Sequence, residues 1–401
     1  MKKILFYTSF ITVGGGLQKV SVDYLRLLVD HQYKVDLIVD FNMGEELLTF
    51  EEMLPKEVSC QYIKSEKISK FIYYFRTLGK RYKVFIIFLY IFMIMADFYY
   101  YHAKVKKIVQ NGNYDFTISF YQFLPAYLTD NKSMKHMIWL HGSVEHFFGG
   151  ITKIFKNRYE KKLNRYDYIV TIADEMKEQL ENFYPNISKN KIQRIYNPFD
   201  FQNIKVQADK KLLDEEDIKL LQDDYICTVS RLDENQKDIT TLILAYEKLW
   251  QEKKISCKLY IIGDGPHKKM LEDFVQDKKL SKKIIFLGKK INPFIWMKHT
   301  DIFILSSKFE GLPTVLIEAM ALETFVISSD CKTGPKEILK SGECGELFEV
   351  GNIDELASKI YLVVNDEKYR ISKIRQASQR IKEFDQTIVI KQLLTIFENN
   401  K

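Results

Sequence analysis

The sequence is poor in cysteine, proline and glycine, with 5, 8 and 17 of them among 401 residues. The cysteines, Cys60, Cys227, Cys257, Cys331 and Cys344, are scattered, odd in number and never spaced C-x-x-C. That argues against a disulfide framework or a zinc site and for a reducing cytoplasm. There is no low-complexity tract and no evident short-period repeat. With 46% hydrophobic and 28% charged residues, the chain reads as globular rather than disordered. The apolar run VFIIFLYIFMIMA, 84–96, falls short of the ~20 residues that a membrane-spanning helix needs. The opening MKKILFYTSF has a short apolar run, no small-residue cleavage site and glycines close behind it, so a first β-strand is expected there, not a signal peptide.

At this length two domains are the default. Strands and helices alternate from the start: KKILFYT, KVDLIVD, DFTISF, HMIWLH and YIVTI read as strands, with helical stretches such as LQKVSVDYLRLLVDH and IADEMKEQLENFY between them. After a polar stretch at 197–224, expected as the linker, a second series begins with YICTVS, KLYIIG, KIIFLG, DIFILS and FVISS. The pattern is α/β, two doubly wound Rossmann-like domains. The expected division is 1–197 and 198–384, and ligands of such sheets bind beyond the carboxyl ends of the strands. The cleft between two domains facing each other is the expected site.

Several strand-end loops carry candidate chemistry. In KFEGLPTVLIEAMA, 308–321, Glu310 stands in a loop after a strand and Glu318 within the following helix. Leu316, Ile317, Ala319 and Met320 make the surroundings of Glu318 apolar, so that carboxylate needs a partner. The loop Gly311, Leu312, Pro313 and Thr314 opens the helix, whose N–H groups and dipole suit a phosphate. Arg231 and Lys237, in SRLDENQKD, are two cations at a strand end and suit a pyrophosphate, although alone they would read as surface residues. Gly263, in IIGDGP, marks a tight turn, and Lys290 and Asn292, in FLGKKIN, are placed to border a nucleotide base, mostly through backbone contacts.

The run from Arg231 to about Ile360 resembles the nucleotide-binding half of the retaining GT-B glycosyltransferases of family 4, whose mark is the E-x7-E element carried here by Glu310 and Glu318. SRLxxxQKD, IIGDGP, FLG, SSxxEGLP, TGPKEIL and GELFEVGNIDELA match in order and spacing. The resemblance implies a GT-B fold and a C-terminal helix, 385–401, packing back on the first domain. It implies that Glu310 meets the donor sugar hydroxyls and Glu318 the ribose, with retention of the anomeric configuration. The glycine run Gly14–Gly16 resembles the first loop of the family, where Gly15 and Gly16 approach the donor phosphates, although Gln18 stands where an acid is often found. His141, in WLHGS, falls where the family places a histidine near donor and acceptor; a lone histidine is more often structural. A dinucleotide enzyme is disfavoured, because Lys19 stands where the third glycine of that fingerprint belongs. No D-x-D motif lies in a suitable strand-end loop, so no metal or other cofactor is expected.

Charge is uneven. The chain carries +7, while residues 61–110 alone hold ten basic residues against Glu66 and Asp97. Around the apolar run 84–96, this basic, aromatic segment (64–107) reads as an in-plane anchor on an anionic membrane, against a buried helix with basic flanks. The expectation is a cytoplasmic enzyme, peripheral on the inner face of the plasma membrane. It would take a nucleotide sugar, a UDP-sugar, and extend a lipid-linked oligosaccharide or surface glycan, not a nucleic acid. The rival readings are a nucleotide-sugar 2-epimerase of the same fold and a catalytically silent nucleotide-sugar-binding scaffold at a membrane.

Overall fold

The computed structural model describes residues 2–9, 16–42, 44, 53–78, 101, 103–120, 123–124, 126–144, 148, 155–210 and 215–399. The chain divides into two compact units. Residues 1–172 and 177–198 form the first, and residues 173–176 and 199–401 the second.

The first unit is built on a parallel sheet ordered β3-β2-β1-β4-β5-β6-β7. Its strands are β1 (Lys3–Thr8), β2 (Lys34–Val39), β3 (Ser59–Tyr62), β4 (Phe116–Phe120), β5 (Lys135–Leu140), β6 (Tyr168–Thr171) and β7 (Ile192–Arg194). The central strands are buried along almost their whole length, as expected of a parallel sheet covered on both faces. Helix Gly16–Asp30 returns the chain from β1 to β2. It contributes Tyr24, whose ring packs edge-on against Phe120 and Trp139 and whose hydroxyl donates to the Tyr196 carbonyl at 2.9 Å.

The second unit repeats the plan with the parallel order β10-β9-β8-β11-β12-β13. The strands are β8 (Tyr225–Val229), β9 (Lys258–Ile262), β10 (Ile284–Gly288), β11 (Ile302–Leu305), β12 (Phe325–Ser329) and β13 (Glu346–Phe348). Tyr225 stacks on Tyr260 at 4.4 Å and donates its hydroxyl to the Trp296 carbonyl. Strand order reverses between β8 and β11, and the crevice outside the carboxyl ends there is where such sheets take ligands.

Three strands escape the sequence reading: β3, β7 and β13. All are edge strands of three or four residues, and SCQY, IQR and ELF lack the apolar run that marks the equally short β6 and β11. The stretch expected as linker is folded in large part. Helix Phe201–Ala208, capped by Asp200 accepting from the Asn203 amide, buries Ile204 and Ala208. It packs against helices Phe294–Lys298 and Thr314–Ala321. The C-terminal helix Gln386–Glu398 clusters with the second unit and is joined to it through Phe199, whose amide and carbonyl bond Phe384 and Gln386.

The basic segment is also corrected in part. Lys64 is not a surface cation: it is 3% exposed, paired with Asp40 and covered by the rings of Phe41 and Tyr101. Asp40 therefore serves as the partner of a buried lysine. Lys104 donates to the carbonyls of Tyr62 and Ile63 at 2.6 and 3.0 Å, so it ties β3 down. The run 84–96 lies outside the described residues. No helix among the described residues is long and apolar enough to cross a membrane.

Candidate active site

In the second unit, β8 delivers Arg231 and Lys237 to the point of strand reversal, and β11 delivers Glu310 beside Lys237. The two loops are stitched together. The Lys308 amide donates to the Gln236 carbonyl at 2.7 Å, the Gln236 amide side chain to the Phe309 carbonyl at 3.3 Å, and the Ser306 hydroxyl to the Lys237 carbonyl at 2.9 Å. This lattice brings Lys237 Nζ to 2.5 Å from Glu310 Oε1, and the Ser307 hydroxyl donates to the same oxygen at 2.6 Å. Lys237 and Glu310 are 15% and 8% exposed, so the pair is screened little by water. Arg231 differs: it is 61% exposed and rests 2.9 Å from Asp233 Oδ2.

Behind Glu310, the Thr333 hydroxyl donates to the Glu310 carbonyl, and the Glu310 amide donates to the Lys332 carbonyl. Gly334, at φ 94°, follows, and a Cβ there would meet the Gly311 carbonyl oxygen at 2.6 Å. The loop Gly311–Thr314 is thus clamped between two strand-end segments. Pro313 is the N-cap of helix Thr314–Ala321 and provides no side-chain cap. The first N–H groups of that helix are therefore left to other acceptors. Glu318 lies on the same helix, buried, as its apolar neighbours implied.

Gly263 follows β9 with φ 142°, and a Cβ would fall 1.8 Å from the Ser230 carbonyl oxygen. Only glycine allows the loops after β8 and β9 to lie this close. The side chains of Lys290 and Asn292 are engaged locally. Lys290 pairs with Asp217 at 2.6 Å, and Asn292 donates to the Gln207 carbonyl at 2.7 Å while accepting from the Phe294 amide. Their side chains brace the folded former linker, so any ligand contact there falls to the backbone. Cys331, close to Glu310, has its thiol pushed up to about 12 by burial first and by the Glu310 charge second, which keeps it protonated and unreactive.

In the first unit, His141 follows β5, with its ring 4.1 Å from that of Phe120. Its Nε2 is sealed from solvent and has no hydrogen-bond partner among the described residues. Burial lowers its pKa to about 3, so the imidazole is neutral. Gly16 begins the helix after β1; Gly15 lies outside the described residues.

Sequence reasoning missed Ser307, Gln236 and Thr333, which position Glu310 and Lys237. Their signal was their place inside the strand-end motifs. It also missed Glu234, whose carboxylate accepts from the Ile239 and Thr240 amides and fixes the helix after Lys237.

Comparison with known proteins places this geometry. Residues 14–203 match the family described as Glycosyltransferase Family 4, and residues 209–380 that described as glycosyl transferases group 1. An uncharacterized glycosyltransferase of Methanocaldococcus jannaschii is 30% identical over 63% of this chain and 63% of its own length. A Campylobacter jejuni enzyme, N-acetylgalactosamine-N,N'-diacetylbacillosaminyl-diphospho-undecaprenol 4-alpha-N-acetylgalactosaminyltransferase, is 32% identical over 60% of this chain and 64% of its own length. The chain thus spans slightly under two thirds of these relatives. Among solved structures, Anabaena Alr3699/HepE in complex with UDP-glucose superposes with a TM-score of 0.72 at 19% identity, covering 100% of both chains. The fold is that of the GT-B glycosyltransferases. With one domain family matched in each half, the chain belongs to the glycosyltransferases, Family 4 over residues 14–203 and group 1 over residues 209–380.

Proposed function

We propose that this protein is a retaining glycosyltransferase that moves a sugar from a nucleotide sugar, a UDP-sugar, to a lipid-linked or surface-glycan acceptor in O-antigen, capsule or lipopolysaccharide synthesis. The observation that carries this reading is the largely buried Lys237–Glu310 pair, with the exposed Arg231 in the same loop as Lys237, at the strand-reversal point of the second sheet. The diphospho-undecaprenol glycan in the name of the Campylobacter jejuni relative and the UDP-glucose of the Anabaena structure support the acceptor and donor classes.

In this mechanism the bond between the anomeric carbon and the diphosphate oxygen breaks, and its electron pair leaves with the phosphate. Arg231, Lys237 and the amides opening helix Thr314–Ala321 receive that charge, so no metal is required. The acceptor hydroxyl attacks the same face of the anomeric carbon and passes its proton to the departing phosphate oxygen, which retains the configuration. Glu310 already spends Oε1 on Lys237 and Ser307, and its Oε2 accepts from sugar hydroxyls. Glu318 accepts from the ribose hydroxyls. His141, neutral, lines the acceptor side. The enzyme works in the cytoplasm, held on the inner face of the plasma membrane by the segment 64–107.

Incubating the protein with UDP-sugars and a lipid-linked acceptor, and reading the new linkage by NMR, tests this. Transfer with retention in EDTA is the expected result. Epimerised nucleotide sugar would instead identify a 2-epimerase, and binding without turnover a silent scaffold.

A further inference from the structure

Outside the site described above, the first unit holds a cavity of about 450 Å³ between the connection that follows β4 and the helix Lys156–Leu163. Its floor includes the buried Leu124 and Tyr166, locked together by the Leu124 amide donating to the Tyr166 hydroxyl at 2.6 Å. Its rim carries Arg158, Lys161 and Lys162, which i, i+3 and i+4 spacing puts on one helix face, and Arg165 in the turn that follows, so that four cations line one side.

Such a stripe is unfavourable by itself. Like charges at i, i+4 repel by a few tenths of a kcal/mol. Lysines near the end of a helix gain from its dipole, but Arg158 stands in the first turn, at the wrong end for that explanation. Among the described residues, one carboxylate ion-pairs with the four: Asp130, 3.7 Å from Arg165, with both side chains well exposed. Lys162 lies over the Phe123 ring at 5.3 Å, and its pKa is lowered by burial first and then by Arg158 and Arg165. A cation cluster with so little carboxylate beside it favours an anion carrying several charges, because a single carboxylate would balance only one of the four.

We propose that this cavity is a second anion site, which takes a phosphate-bearing group with two or more negative charges, its charged end on Arg158, Lys161 and Arg165 and an apolar part against Leu124 and Tyr166. The same chemistry is offered by a free diphosphate and by phospholipid head groups. The inference stands independently of the transferase reading.

The test uses the full chain carrying Arg231→Ala, which removes the exposed cation of the strand-end site and leaves the Lys237–Glu310 pair intact. Calorimetric titration with inorganic pyrophosphate at low salt is expected to show saturable binding of one pyrophosphate per chain. Adding Arg158→Gln, Lys161→Gln and Arg165→Gln should weaken it at least tenfold. Neutralising three other exposed cations, Lys189, Lys282 and Lys382, should change it less than twofold. Sedimentation with phosphatidylglycerol and phosphatidylcholine vesicles separates the sources. Anionic-vesicle binding that needs the stripe assigns a head group, and pyrophosphate binding alone assigns a soluble ligand. The Gln substitutions are at exposed positions, so an unchanged melting temperature verifies folding. Absent pyrophosphate and vesicle binding, or equal loss with either set of substitutions, overturns the proposal.

Discussion

Lys237 Nζ sits 2.5 Å from Glu310 Oε1, a contact between residues 73 positions apart that joins the loops after β8 and β11. Glu310 is buried and Lys237 largely so, with 15% of its side chain exposed, and each is the other's charge balance. Glu310→Ala should therefore act twice. It should nearly abolish transfer, and it should cost about 1–3 kcal/mol of stability by leaving a largely buried ammonium unpaired. Lys237→Ala should do the same from the other side. Urea unfolding of both single variants and the double variant reads the coupling: strictly additive losses would mean that the pair does not act as a unit.

Arg231 should separate function from stability. At 61% exposed, its loss by Arg231→Ala should change stability by no more than about 0.5 kcal/mol. Turnover should fall strongly, because the leaving-group charge is largest in the transition state. A rise in KM with kcat unchanged would show that Arg231 only holds the donor.

Gly263→Ala should be destabilising by roughly 2–3 kcal/mol, since φ 142° and a contact of 1.8 Å with the Ser230 oxygen both oppose a Cβ. Chemical denaturation measures this; a loss below a few tenths of a kcal/mol would mean that the β8 and β9 loops separate freely.

His141 gives a pH signature. Its folded pKa is depressed from the usual 6.5 to about 3 by burial. The unfolded chain then binds a proton that the folded chain refuses. The stability contribution is fully present above about pH 6.5 and is lost as pH falls from there towards 3. His136, also depressed by burial, acts in the same direction. Unfolding free energies of the protein and of His141→Gln should therefore diverge in slope below pH 6.5. Parallel curves would show that His141 titrates normally.

The anionic-membrane reading predicts that vesicle binding needs anionic lipid and weakens with salt. Replacing Lys80, Arg81 and Lys83 by Glu should reduce binding and transfer to a lipid-linked acceptor, while a short water-soluble acceptor analogue is still used. Lys64 is excluded from such a test, because Lys64→Glu would break its buried pair with Asp40 and unfold the region instead. If the unmodified protein ignores anionic vesicles at low salt, the segment 64–107 has another role.

The sequence alone determined the repeated strand–helix order and the strand-end positions of Arg231, Lys237, Gly263 and Glu310. Those follow from local pattern: apolar runs of five or six residues ending in glycine or charge are legible without contacts. It also marked Glu318 as a buried acid from its neighbours. Tertiary structure alone decided the rest. The reversal of strand order between β8 and β11 is a pairing choice that no local run encodes. The edge strands β3, β7 and β13 are ordered by their neighbours, not by their own few residues. Two lysines of one basic segment met different fates, Lys64 buried on Asp40 and Lys70 exposed on Glu66, because burial depends on what the sheet places opposite. The Lys237–Glu310 pair is of the same kind: each residue was legible, but their contact exists only because two strands distant in sequence lie side by side.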